Sequence, residues 1–448
     1  MKFSTASVTK HTRVSIWPTP LCLAILAMIL VTITLYLDHH YVFIYLKTQL
    51  DDLISSVAAR DVLSVISTAI ITITSVTFSI TVLILSIASN QLGPRLIPNF
   101  MRQRTTQLVL GLFIGTFIYT ILTLFSMGFQ SEHFSMPLLS IATAILLSII
   151  CFFVLIYFIH FVCHAIDVDN VLNLLASELS ENINHQYPCK QQNNDTSTSL
   201  HTMVNDDNNI TAAVKNQNKY TLTATNDGYL QFVNYKELCS LAKKHDLILN
   251  IEIAAGKFIL TDSSLMIVYS DNKLNDHLIS NLESCFLLGK RRSSIQDIEF
   301  TFEQISEVAV RALSPGINAP YVAIHCIDRI IQGLALLREK TMHSHIIFDD
   351  EQTARIYRKV SGYSDFVETA FSRFRQQMVS DLAVSIHAIK ALNCLSTLKL
   401  PTGLRNAVTK QAEMIYDDVS NHDHTRADRE DLDTAYNDFL ASNKQPIP

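Results

Sequence analysis

One long apolar segment of the chain, Val62–Ala88, carries a regular row of hydroxyl side chains. Successive members are four, four, three, four and seven residues apart, so they share one face of an α-helix. Such a face can line the water-filled wall of a pore built from several copies. It can also serve close helix packing, the commoner use of small hydroxyl residues, which let backbones approach and bond carbonyl groups of their own helix. The row consists of Ser64, Thr68, Thr72, Ser75, Ser79 and Ser86.

Metal-binding chemistry has only sparse candidates in the sequence. His160 and His164 are four residues apart and could share a metal ion, but no carboxylate follows at a telling spacing. We therefore expect polar side chains at the membrane interface, no bound metal and no cofactor. The sequence also contains no nucleophile elbow, Walker loop, HExxH motif or cysteine cluster, so no catalytic residue and no enzymatic activity are assigned.

An acidic row, Glu299, Glu303 and Glu307, is followed by Arg311 at the same four-residue spacing. A row of carboxylates could hold a divalent cation. Three like charges on one helix face are normally solvated, and Arg311 partly offsets them. The upstream basic run Lys290–Arg292 is expected to contact either anionic lipid or this acidic row.

Two further motifs are typical of membrane helices. Gly111 and Gly115 form a small-xxx-small pair that predicts close helix packing, within one chain or between copies. Arg95, Arg102 and Arg104 follow the hydroxylated segment and are expected to anchor the headgroup region.

A predicted structural turn separates two helical patterns in the C-terminal half. Ser314, Pro315 and Gly316 end the first helix, and we expect Gly316 to adopt a positive φ. Asn318 is the expected N-cap of the next helix, with Pro320 in its first turn.

Composition restricts the class of protein. Charged residues make up 17% of the chain, against about 25% in a soluble globular protein. The net charge of −6 and pI near 6.2 argue against nucleic acid as a partner. The deficit of charge is local, because four long stretches carry none: Val14–Leu37, Val62–Pro94, Thr105–Ser131 and His133–Ile166.

Four apolar segments are long enough to cross a bilayer, which needs about 20 residues of helix. The first follows a basic tail like that of a signal peptide. It exceeds the usual signal length and leads into Asp38 rather than a small-residue cleavage site, so we predict an uncleaved anchor. The predicted spans are Trp17–Leu37, Val62–Ala88, Leu108–Phe129 and Met136–Val162.

The distribution of Lys and Arg predicts the orientation. The N-terminal tail and the second loop hold six of these residues, whereas the first and third loops hold two. Since positive charge favours the cytoplasmic side, both termini are predicted to face the cytoplasm of a bacterial inner membrane. The cysteines fit this orientation, because none lies in a predicted outer loop.

The fold class predicted for the whole chain is mainly α, with four transmembrane helices followed by a cytoplasmic α+β part. This part comprises a small strand-rich module and a helical bundle. Helix N-caps are expected at Asn234, with Glu237 three residues on, and at Ser294, with Asp297 three residues on. The expected segments are a basic tail (1–16), the membrane domain (17–166), a helical exit (167–184), a flexible polar linker (185–219), an α+β module (220–270) and a mainly helical domain (271–448).

Three stretches together resemble the bacterial predicted membrane proteins of the domain-of-unknown-function 2254 family. They are Phe78–Arg102, Asp227–Val233 and Leu288–Arg329, in matching order and spacing. The third is the most specific, although this chain has Ala319 where the family often has Asp. The resemblance covers roughly Trp17 to Leu398 and implies a membrane location and this order of domains, but no activity.

Two functions remain open from the sequence. The hydroxyl row favours an oligomeric channel or transport-type protein with a regulatory cytoplasmic part. The lack of charge inside the spans favours a membrane-anchored scaffold or sensor that transports nothing. Both predict the lipid bilayer as a partner and assembly into a homo-oligomer; the sequence identifies no soluble partner or ligand.

The orientation can be tested with fused reporters. An enzyme active only outside the cytoplasm should be active when inserted within Asp38–Asp61 and inactive when fused after Pro448, because the charge bias places these points on opposite sides. The reverse pattern of activity would contradict the predicted orientation.

Overall fold

The structure is a computed structural model that describes residues 18–40, 56–92, 104–128, 137–165, 167–189 and 218–444. Within these ranges the chain forms two compact units, Met1–Asn170 and Val171–Pro448. The expected basic tail and residues 190–217 of the expected linker lie outside the described residues.

The N-terminal unit contains four long apolar helices, one for each predicted span. Helix α3 packs against each of the other three, while α4 also contacts α1 and α2. The helices are α1 (Pro18–His40), α2 (Ser56–Leu92), α3 (Arg104–Ser126) and α4 (Leu138–Ala165).

The outer surface of this unit is strongly apolar. Phe125, Phe152 and Phe153 are each more than half exposed, whereas Phe113 and Tyr119 are fully buried between the helices. Large apolar groups on the outside are costly in water and favourable in lipid. This distribution therefore suits helices surrounded by a bilayer.

Five helices among the described residues are long and apolar enough to cross a membrane. Four are those of the N-terminal unit, with mean hydropathy between 2.3 and 2.8 over their most apolar stretches. The fifth, Pro320–Leu337, belongs to the C-terminal unit and reaches only 1.2. Length and composition alone thus give one more candidate span than the sequence predicted.

The C-terminal unit begins with α5 (Val168–Gln186) and continues as a mixed region of strands and short helices. The described elements that follow α5, as far as the eighth strand, are β1 (Asn218–Thr223), β2 (Gly228–Val233), α6 (Tyr235–His245), β3 (Ile248–Ile251), β4 (Phe258–Ile259), β5 (Ser264–Ser270), α7 (Asp276–Glu283), β6 (Phe286–Gly289), α8 (Ile298–Ala312), α9 (Pro320–Leu337), β7 (Ile346–Phe348) and β8 (Ala354–Arg358).

Four helices complete the unit. They pack mainly through α8 on α10, α10 on α12 and α11 on α13, around the fully buried rings of Phe302, Phe366, Phe371 and Phe374. The helices are α10 (Tyr363–Met378), α11 (Leu382–Ser396), α12 (Thr402–Ser420) and α13 (Arg426–Lys444).

Two sheets join strands that are far apart in sequence. The larger has the order β1-β5-β3-β8-β7, in which β3 and β8 are parallel and the other pairs antiparallel. The smaller has the order β4-β2-β6. The expected module at 220–270 therefore does not form its sheets alone. Both sheets also include strands from the range that follows it, namely β6, β7 and β8.

Several local expectations are corrected by the structure. The domain expected to be mainly helical at 271–448 also contains a strand, β6, whose Phe286 pairs with β2. Asp297, not Ser294, caps α8: its carboxylate accepts from the backbone N–H of Phe300 at 3.1 Å. Ser294 instead donates its hydroxyl to Glu178. By contrast, the predicted Asn234 cap of α6 is confirmed by the 3.2 Å bond from Glu237 N–H.

The turn before α9 also differs from the expectation. Gly316 has no positive φ; the left-handed residue is Asn318, with φ of 48°. Because Asn318 turns the chain there, Ala319 becomes the N-cap residue and Pro320 the first residue of α9. Asparagine tolerates a positive φ better than most residues. The turn can therefore form without a positive φ at Gly316.

Gly256 is the glycine of this unit whose conformation only glycine suits. Its φ is +88°, and an added Cβ would clash with the carboxylate of Asp297 and lie 2.8 Å from Nε of Arg292. Its N–H donates to the carbonyl of Leu230 at 2.7 Å. The loop between β3 and β4 thereby lies directly against the capped start of α8.

We expect Gly256→Ala to lower the free energy of unfolding of the C-terminal unit by about 1–3 kcal/mol, the cost of a strained backbone position. Gly316→Ala is the matched control, because no atom lies within 4 Å of its added Cβ and its φ is not positive. Thermal unfolding of the purified full chain measures both. Equal stability of the two variants would contradict this account.

Candidate functional site

The hydroxyl row of α2 lies on the outer surface of the N-terminal unit. All six side chains, Ser64, Thr68, Thr72, Ser75, Ser79 and Ser86, are exposed. The opposite face of α2 packs on the other helices through residues such as Leu63, Ser67, Ile70 and Thr77, each buried. Packing inside the unit is thus served by a different set of residues, and the row is left uncovered by the helices that the structure describes.

Three of the six hydroxyl groups of the row donate to carbonyl groups of α2 itself. Thr68 donates to the carbonyl of Ser64 at 2.9 Å, Thr72 to that of Thr68 at 2.8 Å, and Ser79 to that of Ser75 at 3.0 Å. Donors bonded in this way can face lipid at little cost. Their oxygens still have acceptor capacity for water or for another helix.

The glycine pair of α3 faces α1. An added Cβ on Gly111 would lie 2.7 Å from a methyl carbon of Leu23, and one on Gly115 would lie 3.3 Å from the carbonyl oxygen of Leu23. This close approach occurs within the chain, so the pair does not provide a free surface for another copy.

The remaining candidates near the membrane are not assembled into a site. His160 and His164 are both exposed, and their ring centroids lie 4.4 Å apart. No group of three His, Cys, Asp or Glu side chains in the described ranges is placed to hold a metal ion. Arg95 and Arg102 lie outside the described residues, and Arg104 is the first residue of α3.

The acidic row of α8 is paired rather than solvated, which corrects the expectation from its charge pattern. Glu303 accepts from Arg292 at 2.7 Å, Glu307 from Arg311 at 3.4 Å, and Glu299 from the hydroxyl of Ser361. Each carboxylate thus has a partner of its own, and Arg292 of the basic run contacts the row.

Arg292 is the centre of a buried ionic cluster at the start of α8. Its Nε lies 2.5 Å from Asp297, and the guanidinium stacks 5.2 Å from the ring centre of Phe300. Burial disfavours the charged guanidinium, but the hydrogen bonds to Asp297 and Glu303 outweigh it and raise the pKa of Arg292. The cluster holds the Gly256 loop against α8 and is structural in character.

The turn residues form a hydrogen-bonded loop on the surface of the C-terminal unit. The carbonyl of Ser314 accepts from the N–H groups of Ile317 and Asn318, at 3.0 and 2.9 Å. Its hydroxyl donates to the carbonyl of Arg311 at 2.6 Å. Pro315 and Gly316 at the tip are exposed, and Pro320 is half-buried.

A buried carboxylate that the sequence did not identify joins two of the membrane-type helices. Asp38, near the end of α1, is only 7% exposed. Its oxygens accept from the backbone N–H groups of Leu139 and Ser140, each at 2.9 Å, and from the hydroxyl of Ser140 at 2.6 Å. Asp38 therefore caps the N-terminus of α4, where a negative charge is favoured by the helix dipole.

A tyrosine extends this contact into the bundle. The hydroxyl of Tyr119 on α3 lies 2.9 Å from Oγ1 of Thr34 on α1 and donates to the carbonyl of Ser140 at 3.2 Å. Three helices are thereby joined by one polar network. The sequence offered one signal for it: an acid directly ending a span on the same predicted side as the start of the fourth.

Comparison with known proteins places this architecture in context. The family described as "Predicted membrane protein (DUF2254)" matches residues 13–394. An uncharacterized protein of Mycobacterium bovis and one of Mycobacterium tuberculosis are each 24% identical over 362 residues, which covers 80% of this chain and 67% of the relative. No solved structure gives a significant match.

We expect Asp38→Ala to lower the free energy of unfolding by about 2 kcal/mol, because it leaves helix N–H groups without their charged acceptor. Asp61→Ala is the matched control, since Asp61 is an exposed carboxylate at the beginning of α2. Thermal unfolding in detergent distinguishes them. A loss of stability in the Asp61 variant as large as in the Asp38 variant would contradict the capping role.

Proposed function

The chain belongs to the DUF2254 family of predicted membrane proteins, and from this premise we propose that it forms an oligomeric channel or transport-type protein of the bacterial inner membrane. In this proposal both termini are cytoplasmic, and the C-terminal α+β region assembles or regulates the membrane part. The observation that carries the proposal is the uncovered hydroxyl face of α2.

Four spans, α1 to α4, fit the proposal better than five. The fifth apolar helix, α9, carries Asp328 and Arg329, and the Asp328 carboxylate lies 2.8 Å from Nε2 of His387 on α11. Its other side is fully buried against neighbouring helices of the C-terminal unit, for example through Ile327 and Ile330. These contacts are typical of a helix in a water-soluble bundle rather than of a span surrounded by lipid.

Several copies arranged with their α2 helices facing one another would create a common hydroxyl-lined surface. At 100° per residue the six side chains fall within an arc of about 80°, narrow enough to face a central axis. Asp61 falls on the same arc, one turn before Ser64, and would add a negative charge at one mouth of such a path. We therefore propose an uncharged, hydroxyl-lined path with a preference for cations.

The rival proposal is a membrane-anchored scaffold or sensor that transports nothing. The internal hydrogen bonds of the row favour it, because hydroxyls bonded to their own helix need no water. In that case the same face is a contact between copies without a water path, or it faces lipid.

Introduced cysteines separate these possibilities. Thr72→Cys and Ser75→Cys should react with a small, membrane-impermeant thiol reagent in intact membranes, and oxidation should cross-link copies through them. Ala69→Cys, at an exposed position of α2 about 60° outside the arc of the row at 100° per residue, is the control and should do neither. Peptide mass spectrometry identifies the labelled site in the presence of the native cysteines.

Each pattern of reactivity has one meaning. Cross-linking without labelling would identify a dry contact between copies and support the scaffold or sensor. Neither cross-linking nor labelling would place the row against lipid and contradict the channel. Where both occur, Thr72→Leu with Ser75→Leu should lower conductance in planar bilayers, because leucine removes the polar wall.

A further inference from the structure

A short segment after α5 is held against the residues that follow α9, within the C-terminal unit. Tyr187 is 4% exposed, and its ring contacts that of His343 at a tilt of 33°, with centroids 4.4 Å apart. Burial, aided by the charge of Arg358, lowers the pKa of His343 to about 4, so this imidazole is neutral at neutral pH. This aromatic pair fixes the position of the next two residues.

The backbone continues the contact. The N–H of Thr341 donates to the carbonyl of Pro188 at 2.9 Å, and Cys189 forms an antiparallel bridge with Lys340. Lys340 is itself fixed, because its carbonyl accepts the hydroxyl of Tyr363 at 3.3 Å. The side chains of Cys189 and Lys340 are therefore presented to each other by ordered backbone on both sides.

The lysine ammonium is directed at the cysteine sulfur. Nζ of Lys340 lies 3.3 Å from Sγ of Cys189, its hydrogen-bond partner among the described residues. Lys340 is only 5% exposed, whereas Cys189 is exposed. A lysine is seldom buried to this extent without a charged partner, and the Cys189 sulfur is the polar atom that its ammonium contacts.

This combination distinguishes Cys189 from the other described cysteines of the unit. Cys326 is fully buried, and burial raises the pKa of Cys285, to about 11, and that of Cys239. All three are therefore poor nucleophiles. Cys394 on α11 is exposed like Cys189, and so it provides an internal comparison for solvent access alone.

We propose that Cys189 and Lys340 form a peroxide-reactive pair. Cys189 is the site of oxidation, and Lys340 positions its sulfur and protonates the group that leaves the peroxide. The deprotonated sulfur attacks one oxygen of hydrogen peroxide. An S–O bond forms while the O–O bond breaks, and the ammonium proton passes to the departing hydroxide to give water. Sulfur loses two electrons and the peroxide gains them. The products are a cysteine sulfenic acid, water and a neutral lysine amine, which regains its proton from solvent.

Oxidation would also change the contact itself. A sulfenic acid carries an additional oxygen on the sulfur, so the contact between Nζ of Lys340 and Sγ of Cys189 must rearrange. The attachment of the segment at residues 187–189 would then rest on the aromatic pair and the backbone bonds. This inference is independent of whether the membrane part transports anything.

The test uses the full chain in detergent, treated with hydrogen peroxide in the presence of a 1,3-diketone probe that traps sulfenic acids. Peptide mass spectrometry follows labelling at Cys189 and Cys394 in the same sample. We expect Cys189 to be labelled about tenfold faster, and Lys340→Met to reduce its rate about tenfold, as expected for loss of one hydrogen bond to a charged group. Labelling of Cys394 should not change in the variant.

Two controls keep the outcome decisive. Cys189→Ser should remove the fast label and leave the slow one, while circular dichroism shows whether Lys340→Met remains folded. If the Lys340→Met variant is unfolded, the proposal is tested by the ratio of the labelling rates of Cys189 and Cys394 in the unaltered chain. Equal rates at Cys189 and Cys394, or a folded Lys340→Met chain with an unchanged rate at Cys189, would overturn the proposal.

Discussion

Asp38 makes the contact on which the arrangement of the N-terminal helices depends. A helix that begins within or near a bilayer has backbone N–H groups that water cannot reach freely, and leaving them unpaired is costly. Asp38 satisfies two of them at the start of α4, and Tyr119 extends the network to α3. With α1, α3 and α4 joined in this way, α2 packs against α3 and α4 with one face and leaves its hydroxyl face outside.

A comparable constraint organises the C-terminal unit. The buried guanidinium of Arg292 must be paired, and Asp297 and Glu303 provide the charges. Asp297 at the same time caps α8, so one carboxylate begins a helix, neutralises a buried cation and limits the neighbouring position 256 to glycine. In each unit, one buried carboxylate thus both caps a helix and joins it to another part of the chain.

The sequence predicted what depends on local pattern. The four apolar segments form helices, and Asn234 caps α6. It did not predict what depends on distant partners. β6 forms because β2 is available to it, and β8 lies parallel to β3 across about a hundred residues. Asn318 rather than Gly316 takes the left-handed conformation. Asp297 rather than Ser294 caps α8, and the hydroxyl of Ser294 instead donates to the distant Glu178. For the candidate site, periodicity placed six hydroxyls on one face, but only the packing of the other helices showed that this face is uncovered.

The most direct test of the central claim is an experimental structure of the protein assembled in a lipid bilayer. The account predicts several copies whose α2 helices meet around one axis, with the hydroxyl face of each lining a continuous column of water. A structure in which the hydroxyl face contacts acyl chains, or in which the copies meet through other helices and enclose no water, would contradict it.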